Sequence, residues 1–278
     1  MSTPGGFAFL NGALISLSSS VSIVALYRNY GIGYHSFFNN AVAEGAKASN
    51  EHGLYTGINI VPNRHWSIAF YADQFKFPWL KYRVDAPSNG YELLGQLTYT
   101  PSKTFKILGR IKYEKKQQNT DSNTHINFLE DVLKTSYRLS FSWKLSSSIY
   151  LQQLGELSAY KKGPMKNELG YLFYQDIQFQ NKSKLSGNMR IAYFKTPSYN
   201  SRIYAYENDV LYGFSFGNYY GNGYRIFLNL KYQLFKSIAL WARYALSYYP
   251  KLEVVGSGLD EIDGNKKQEV KLQMRFQF

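Results

Sequence analysis

The sequence predicts an all-β fold, an antiparallel transmembrane β-barrel of the bacterial outer-membrane type with about 12–13 strands, and three observations carry that prediction. Apolar and polar side chains alternate strictly in run after run. The runs are joined in alternation by turns of about three polar residues and by much longer connections, as when strands cross a bilayer between short periplasmic turns and long outer loops. Aromatic residues make up 18% of the 278 residues, with 26 Tyr, 19 Phe and 4 Trp, and they suit strands and water–lipid boundaries.

In chain order the expected strands are 7–17, 21–32, 53–62, 66–77, 90–101, 104–116, 132–145, 149–160, 168–180, 185–196, 223–234, 238–250 and 267–278. Each is near the length of about 9–11 residues that a tilted strand needs to cross a membrane. Five tight turns share one form, an apolar or Pro residue, three mostly polar residues and another apolar residue: "LSSSV" (17–21), "PNRHW" (62–66), "PSKTF" (101–105), "LSSSI" (145–149) and "LFKSI" (234–238). "QNKSKL" (180–185) is one residue longer. Strand 104–116 sets Phe105, Ile107, Gly109, Ile111 and Tyr113 against Lys106, Arg110, Lys112 and Glu114. Strand 132–145 sets Tyr137, Leu139, Phe141 and Trp143 against Arg138, Ser140, Ser142 and Lys144. In 223–234 the apolar face is Tyr224, Ile226, Leu228, Leu230, Tyr232 and Leu234, and the polar face is Arg225, Asn229, Lys231 and Gln233. The segment 197–222 is long for a structureless connection and reads as an outer loop with its own hairpin, from Arg202–Tyr206 and Val210–Phe216, folding over or into the lumen.

Thirteen strands conflict with the even number of single-chain bacterial barrels. Either residues 12–30 form one long strand, giving twelve, or "LSSSV" is a true turn and the chain is the C-terminal part of a larger barrel. "MSTPGGFAFLNG" has no basic stretch followed by an apolar core, so it is not a signal peptide. The chain is then either mature or trimmed, or it never leaves the cytosol.

Composition narrows the classes further. Mean hydropathy is −0.36 and no run of about 18 apolar residues occurs, which excludes a membrane-spanning helix and leaves a barrel open. Cysteine is absent, so neither a disulfide framework nor a thiolate metal site exists. The formal charge of +13 invites anionic partners. A soluble β-sandwich would also alternate, but it mixes long and short connections at both ends and needs no aromatic girdles such as Tyr99, Tyr113, Trp143, Tyr224, Tyr232 and Tyr248. In "EVKLQMRFQF" (269–278) Val270, Leu272, Met274, Phe276 and Phe278 face lipid, while Lys271 and Arg275 face a wet interior. Leu272, Met274, Phe276 and the terminal Phe278 resemble the C-terminal signal by which the barrel-assembly machinery recognises outer-membrane barrels.

"FPWLKYRVDAP" (77–87), "SRIYAYENDVLYGFSF" (201–216) and "GSGLDEIDGN" (256–265) are similar to stretches of a Bacteroidota outer-membrane family in which periplasmic helix-hairpin-helix modules precede a C-terminal barrel. The resemblance implies upstream domains, absent from this sequence, through which nucleic acid would be contacted. It adds architecture more than activity.

Strand parity gives an expected interior set. Its cations are Arg28, Lys106, Arg110, Lys112, Lys134, Arg138, Lys144, Arg190, Arg225, Lys231, Arg243, Lys271 and Arg275. Its anions are Asp73, Glu92, Glu114, Glu156, Glu168, Asp176 and Glu269, so the lumen is mixed and net basic. Such charges either hold neighbouring strands in register as cross-strand pairs or line a conduit that concentrates anions. Catalysis is not expected: His35, His52, His65 and His125 fall in expected loops or turns, with no nucleophile and base at a suggestive spacing. "DEIDGN" lacks the regular positions of a calcium loop, and neither a metal nor a cofactor is expected. Two functions follow from these expectations. The first is an integral outer-membrane pore or translocation channel, with Arg110, Arg138, Arg190, Lys231, Arg243, Lys271 and Arg275 as its lumen-facing cations. The second is a non-conducting anchor or assembly component for periplasmic, DNA-contacting domains. Outer-membrane lipid and lipopolysaccharide are the expected surroundings in both.

Overall fold

The computed structural model describes residues 6–35, 42–120, 127–180 and 184–278. Its strands are β1 (Ala8–Ser18), β2 (Val21–Tyr30), β3 (Glu51–Asn63), β4 (Trp66–Phe77), β5 (Ser88–Ser102), β6 (Phe105–Asn119), β7 (Leu129–Lys144), β8 (Ile149–Lys162), β9 (Glu168–Gln180), β10 (Leu185–Lys195), β11 (Ile203–Glu207), β12 (Ser215–Tyr219), β13 (Asn222–Phe235), β14 (Ile238–Tyr248), β15 (Val254–Val255), β16 (Ile262–Asp263) and β17 (Lys266–Phe276). Thirteen of them form one sheet in the order β1 to β10, β13, β14, β17. β11 with β12, and β15 with β16, make two small hairpins in the connections. All thirteen expected strands are present, most of them reaching a few residues further into the long connections, and the fold is an antiparallel outer-membrane β-barrel. β1 and β2 pair from Ala8↔Tyr30 to Ser18↔Val21, so residues 12–30 are two strands and "LSSSV" is a turn.

The short turns close by one recurring device. Ser18, Asn63, Ser102 and Ser146, each second in its turn, accept through the side-chain oxygen a hydrogen bond from the backbone N–H two residues on, at 3.2, 2.9, 3.3 and 3.1 Å. This local bond is what makes Ser and Asn turn formers. "LFKSI" has Phe235 at that position, and there the Gln233 amide donates to the Phe235 carbonyl at 2.6 Å. The middle of "QNKSKL" lies outside the described residues.

Side chains sort by parity. Leu228, Leu272 and Phe276 are 36%, 78% and 56% exposed, whereas Arg243 is 1% exposed. Apolar groups therefore look outward and the guanidinium inward, the arrangement of a wall between hydrocarbon and a polar interior. The outward rings stack in rows near the strand ends: Trp66 on Tyr99 (centroids 4.2 Å apart) and Phe105 on Trp143 (5.1 Å) beside short turns, Tyr91 with Tyr113 (5.8 Å) and Tyr193 with Tyr224 (5.0 Å) toward long connections.

By its internal contacts the chain divides into two units, residues 1–99, 109–137 and 159–167, and residues 100–108, 138–158 and 168–278. In the first, Arg28 is fully buried between Glu51 (2.6 Å) and Asp73 (2.7 Å), and Lys112 pairs with Glu92 at 2.7 Å. Glycine is required at position 53, because a Cβ there would overlap the Arg28 guanidinium. The connection before β3 turns onto this cluster, with the N–H groups of Glu44 and Gly45 donating to the Glu51 carboxylate at 2.9 and 3.0 Å. In the second unit the apolar core lies between wall and hairpin: Leu154, Leu172, Ala192 and Phe194 from β8, β9 and β10 close on Ile203, Ala205 and Tyr219 of β11 and β12.

Candidate functional site

The connection between β10 and β13 builds the site. β11 and β12 pair from Ile203↔Tyr219 to Glu207↔Ser215. The alternation of period two that makes them strands also gives the hairpin two unlike faces. Ile203, Ala205, Glu207, Gly217 and Tyr219 are buried, while Tyr204, Tyr206 and Phe216 are exposed beside Phe214. The hairpin expected from Arg202–Tyr206 and Val210–Phe216 is thus present, with its second strand shifted to 215–219. Val210 falls instead in the tip, where Asp209 bonds backbone and side chains in place of strand pairing.

The buried edge ends in two carboxylates that meet the cations of the wall. Glu207 takes Arg225 in a bidentate pair at 2.6 and 2.8 Å and also accepts from Arg243 at 2.7 Å and from the Tyr219 hydroxyl at 2.8 Å. Asp209 accepts from Lys271 at 2.7 Å, from the Val210 N–H at 2.8 Å and from the Ser215 hydroxyl. Backbone carbonyls contribute as well: Arg190 donates to Tyr206 at 2.8 Å, and Asn229 donates to Asn208 at 2.6 Å. Gly217 stands where a Cβ would strike the Glu207 carboxylate, so the small residue lets that carboxylate lie across the hairpin. Burial opposes ionisation of Asp209, but the bonds from Lys271, Ser215 and the Val210 N–H outweigh it and hold the carboxyl at about 2.

Around this latch the wall is paired strand to strand. Arg190 on β10 grips Asp176 on β9 through two bonds of 2.6 Å, and Arg138 on β7 bonds Glu156 on β8 at 2.6 Å. Five cations (Arg138, Arg190, Arg225, Arg243 and Lys271) thus face five carboxylates (Glu156, Asp176, Glu207, Asp209 and Glu269). Of the two readings of such charges, these five fit the pairing one, each having a carboxylate partner on a neighbouring strand or on the hairpin. Phe227, fully buried, lies under both Arg243 (4.7 Å from guanidinium carbon to ring centroid) and Arg190 (5.4 Å).

Of the seven expected lumen cations the site gathers six. Arg243 and Lys271 belong to the latch, Arg138 and Arg190 to the strand pairs around it, and Lys231 and Arg275 flank Trp241 at 5.4 and 5.8 Å from its ring. Arg110 lies on β6 and belongs to the first unit. Sequence parity did not place Glu207 and Asp209, since both lie in a connection. The signal available was "YENDV", which carries the only two carboxylates between Asp176 and Glu253. Leu272, Met274 and Phe276 all face outward, and Phe278 follows the end of β17. His52 is corrected from a loop to the second residue of β3; His65 is in a turn, and His125 lies outside the described residues.

Between the hairpin tip and the short turn after β7 lies a polar chamber of about 600 Å³, lined among others by Lys144, Gln178, Asn188, Asn229, Lys231 and Trp241. Among the described residues no cluster of potential metal ligands occurs.

No known protein family and no curated protein matches the sequence. Several solved structures resemble the fold. The ferric yersiniabactin uptake receptor FyuA from Yersinia pestis aligns with 100% of this chain and 51% of its own, at 14% identity and a TM-score of 0.50. The anion-selective porin from Comamonas acidovorans covers 98% of this chain and 89% of its own (9% identity, TM-score 0.44), and a FadL homologue from Pseudomonas aeruginosa covers 95% and 76% (6% identity, TM-score 0.42). This chain spans about half the length of the uptake receptor, and that likeness is one of fold alone. With lipid-facing apolar residues, aromatic rows and a buried polar interior, the chain is an integral outer-membrane β-barrel protein.

Proposed function

We propose that this protein is an outer-membrane channel whose lumen is narrowed by the β11–β12 hairpin. The observation that carries the reading is the latch: Glu207 and Asp209 bind Arg225, Arg243 and Lys271 on three successive wall strands and leave a water-accessible polar chamber beside them. A constriction made by an inward loop, with paired charges across it, sets the size and polarity of what passes. Its net charge bias then comes from cations such as Lys231 and Arg275 beside Trp241 rather than from the neutralised cluster. The role is non-enzymatic. Insertion through the barrel-assembly machinery, guided by Leu272, Met274, Phe276 and Phe278, and contact with lipopolysaccharide belong to the same proposal.

Single-channel recording of the full chain in planar bilayers tests it. A small conductance that rises severalfold when residues 203–219 are replaced by a short Gly-Ser linker is expected. The absence of current from both proteins would remove the channel reading.

A second reading is favoured by the packing under the hairpin, where Tyr219, Ile203 and Phe194 are at most 2% exposed. A plug held that firmly suits a membrane anchor, and the resemblance to the Bacteroidota family supplies periplasmic helix-hairpin-helix modules for it to carry. Binding of DNA by a protein extended with those modules, and not by this chain, distinguishes that role.

A further inference from the structure

Resting on the channel reading, we infer that the chamber between the hairpin tip and the short turn after β7 is a binding site for a carboxylated sugar. The chamber's volume of about 600 Å³ falls within the usual range of small-molecule sites, about 300–1,000 Å³. Its walls mix amides and hydroxyls with the apolar surface of Ile149, Phe179, Leu230 and Trp241, which suits a ligand that carries both hydroxyls and a C–H face. Asn188 supplies the second observation. It is 93% buried by virtue of its 7% exposure, its oxygen accepts from Asn229 at 3.0 Å, and its amide nitrogen has no partner. A buried donor left unmatched is unfavourable, and a turn of the Asn188 amide towards the chamber would let a ligand oxygen satisfy it.

Charge and shape then narrow the class. Lys144 and Lys231 line the chamber against one carboxylate, Asp209, which is already bound by Lys271 and Ser215. The unspent charge is positive and selects an anion. The Lys231 ammonium stands over the Trp241 indole at 5.4 Å, which sets a cation for a carboxylate next to an aromatic surface for the apolar C–H groups of a pyranose ring. A small inorganic anion would use the lysines and leave the indole and the amides idle.

Calorimetric titration of the full chain in detergent micelles with D-glucuronate, D-glucose and acetate tests the inference. Glucuronate is expected to bind about tenfold more tightly than glucose or acetate, the worth of one charge-assisted bond. Lys231→Gln should erase that preference, and Trp241→Ala should weaken both sugars without altering acetate. Heat-modifiable electrophoretic mobility reports that each variant is folded. Equal binding of all three probes, glucuronate binding that survives the double substitution, or no binding at all would each overturn the site. Conductance recorded on the same preparations keeps the two proposals apart: binding without current leaves the chamber standing and removes the channel, and current without binding does the reverse.

Discussion

Glu207 is a fully buried carboxylate shared by two arginines, and that geometry makes it the residue on which the hairpin depends. Removing one partner of a buried pair leaves an uncompensated charge and costs about 3–5 kcal/mol. Glu207→Ala should therefore free the hairpin while leaving the wall assembled, seen as new protease cleavage between residues 203 and 219 in the liposome-embedded protein. Unchanged protection would mean that packing alone holds it. Asp209 sets the pH limit. Its carboxyl is depressed from the ordinary value of 3.8 to about 2, so its contribution is complete above the unfolded value and is lost only as pH falls through the folded one. The hairpin should stay protected from pH 7 to about 4 and loosen towards about 2, checked by acid-tolerant pepsin digestion at stepped pH.

At the scale of elements, the sheet was legible and the hairpin's partners were not. Period two marks a wall strand because each face meets a different solvent, so the thirteen strands could be read from alternation and turn form alone. The same rule put Arg243 and Arg275 inside and Leu228 and Leu272 outside. It failed where a residue's surroundings come from another element: Phe227 sits on the inward face of β13 because the hairpin and two guanidinium groups cover it. Glu207 and Asp209 escaped for the same reason, since the strands that neutralise them are 18 to 62 residues away. Gly217 was likewise invisible until the carboxylate beside it had a position. Gly217→Val, which forces a side chain into the Glu207 carboxylate, should release the hairpin as Glu207→Ala does while leaving every wall charge in place. Protease mapping of the two variants should then give the same fragments.

For the whole molecule, the outward set is what makes the membrane its solvent. Leu228→Arg should cost about 2–4 kcal/mol if that position is near the bilayer midplane, whereas Lys231→Glu, at an inward, half-exposed position of the same strand, should be read by the lumen instead. Urea unfolding from liposomes measures the first and ion selectivity the second. Equal effects on stability would remove the assignment of faces.

Chain order gives the latch a temporal side. The acidic pair at 207 and 209 is synthesised before every base that satisfies it, at 225, 243 and 271, the last of these on the final strand. Until β17 has annealed, the loop carries two negative charges with incomplete counterions, in an environment that punishes them. Docking of the loop therefore needs β13, β14 and β17 in place together, and a barrel in which β17 is unpaired would display an unseated, protease-sensitive loop.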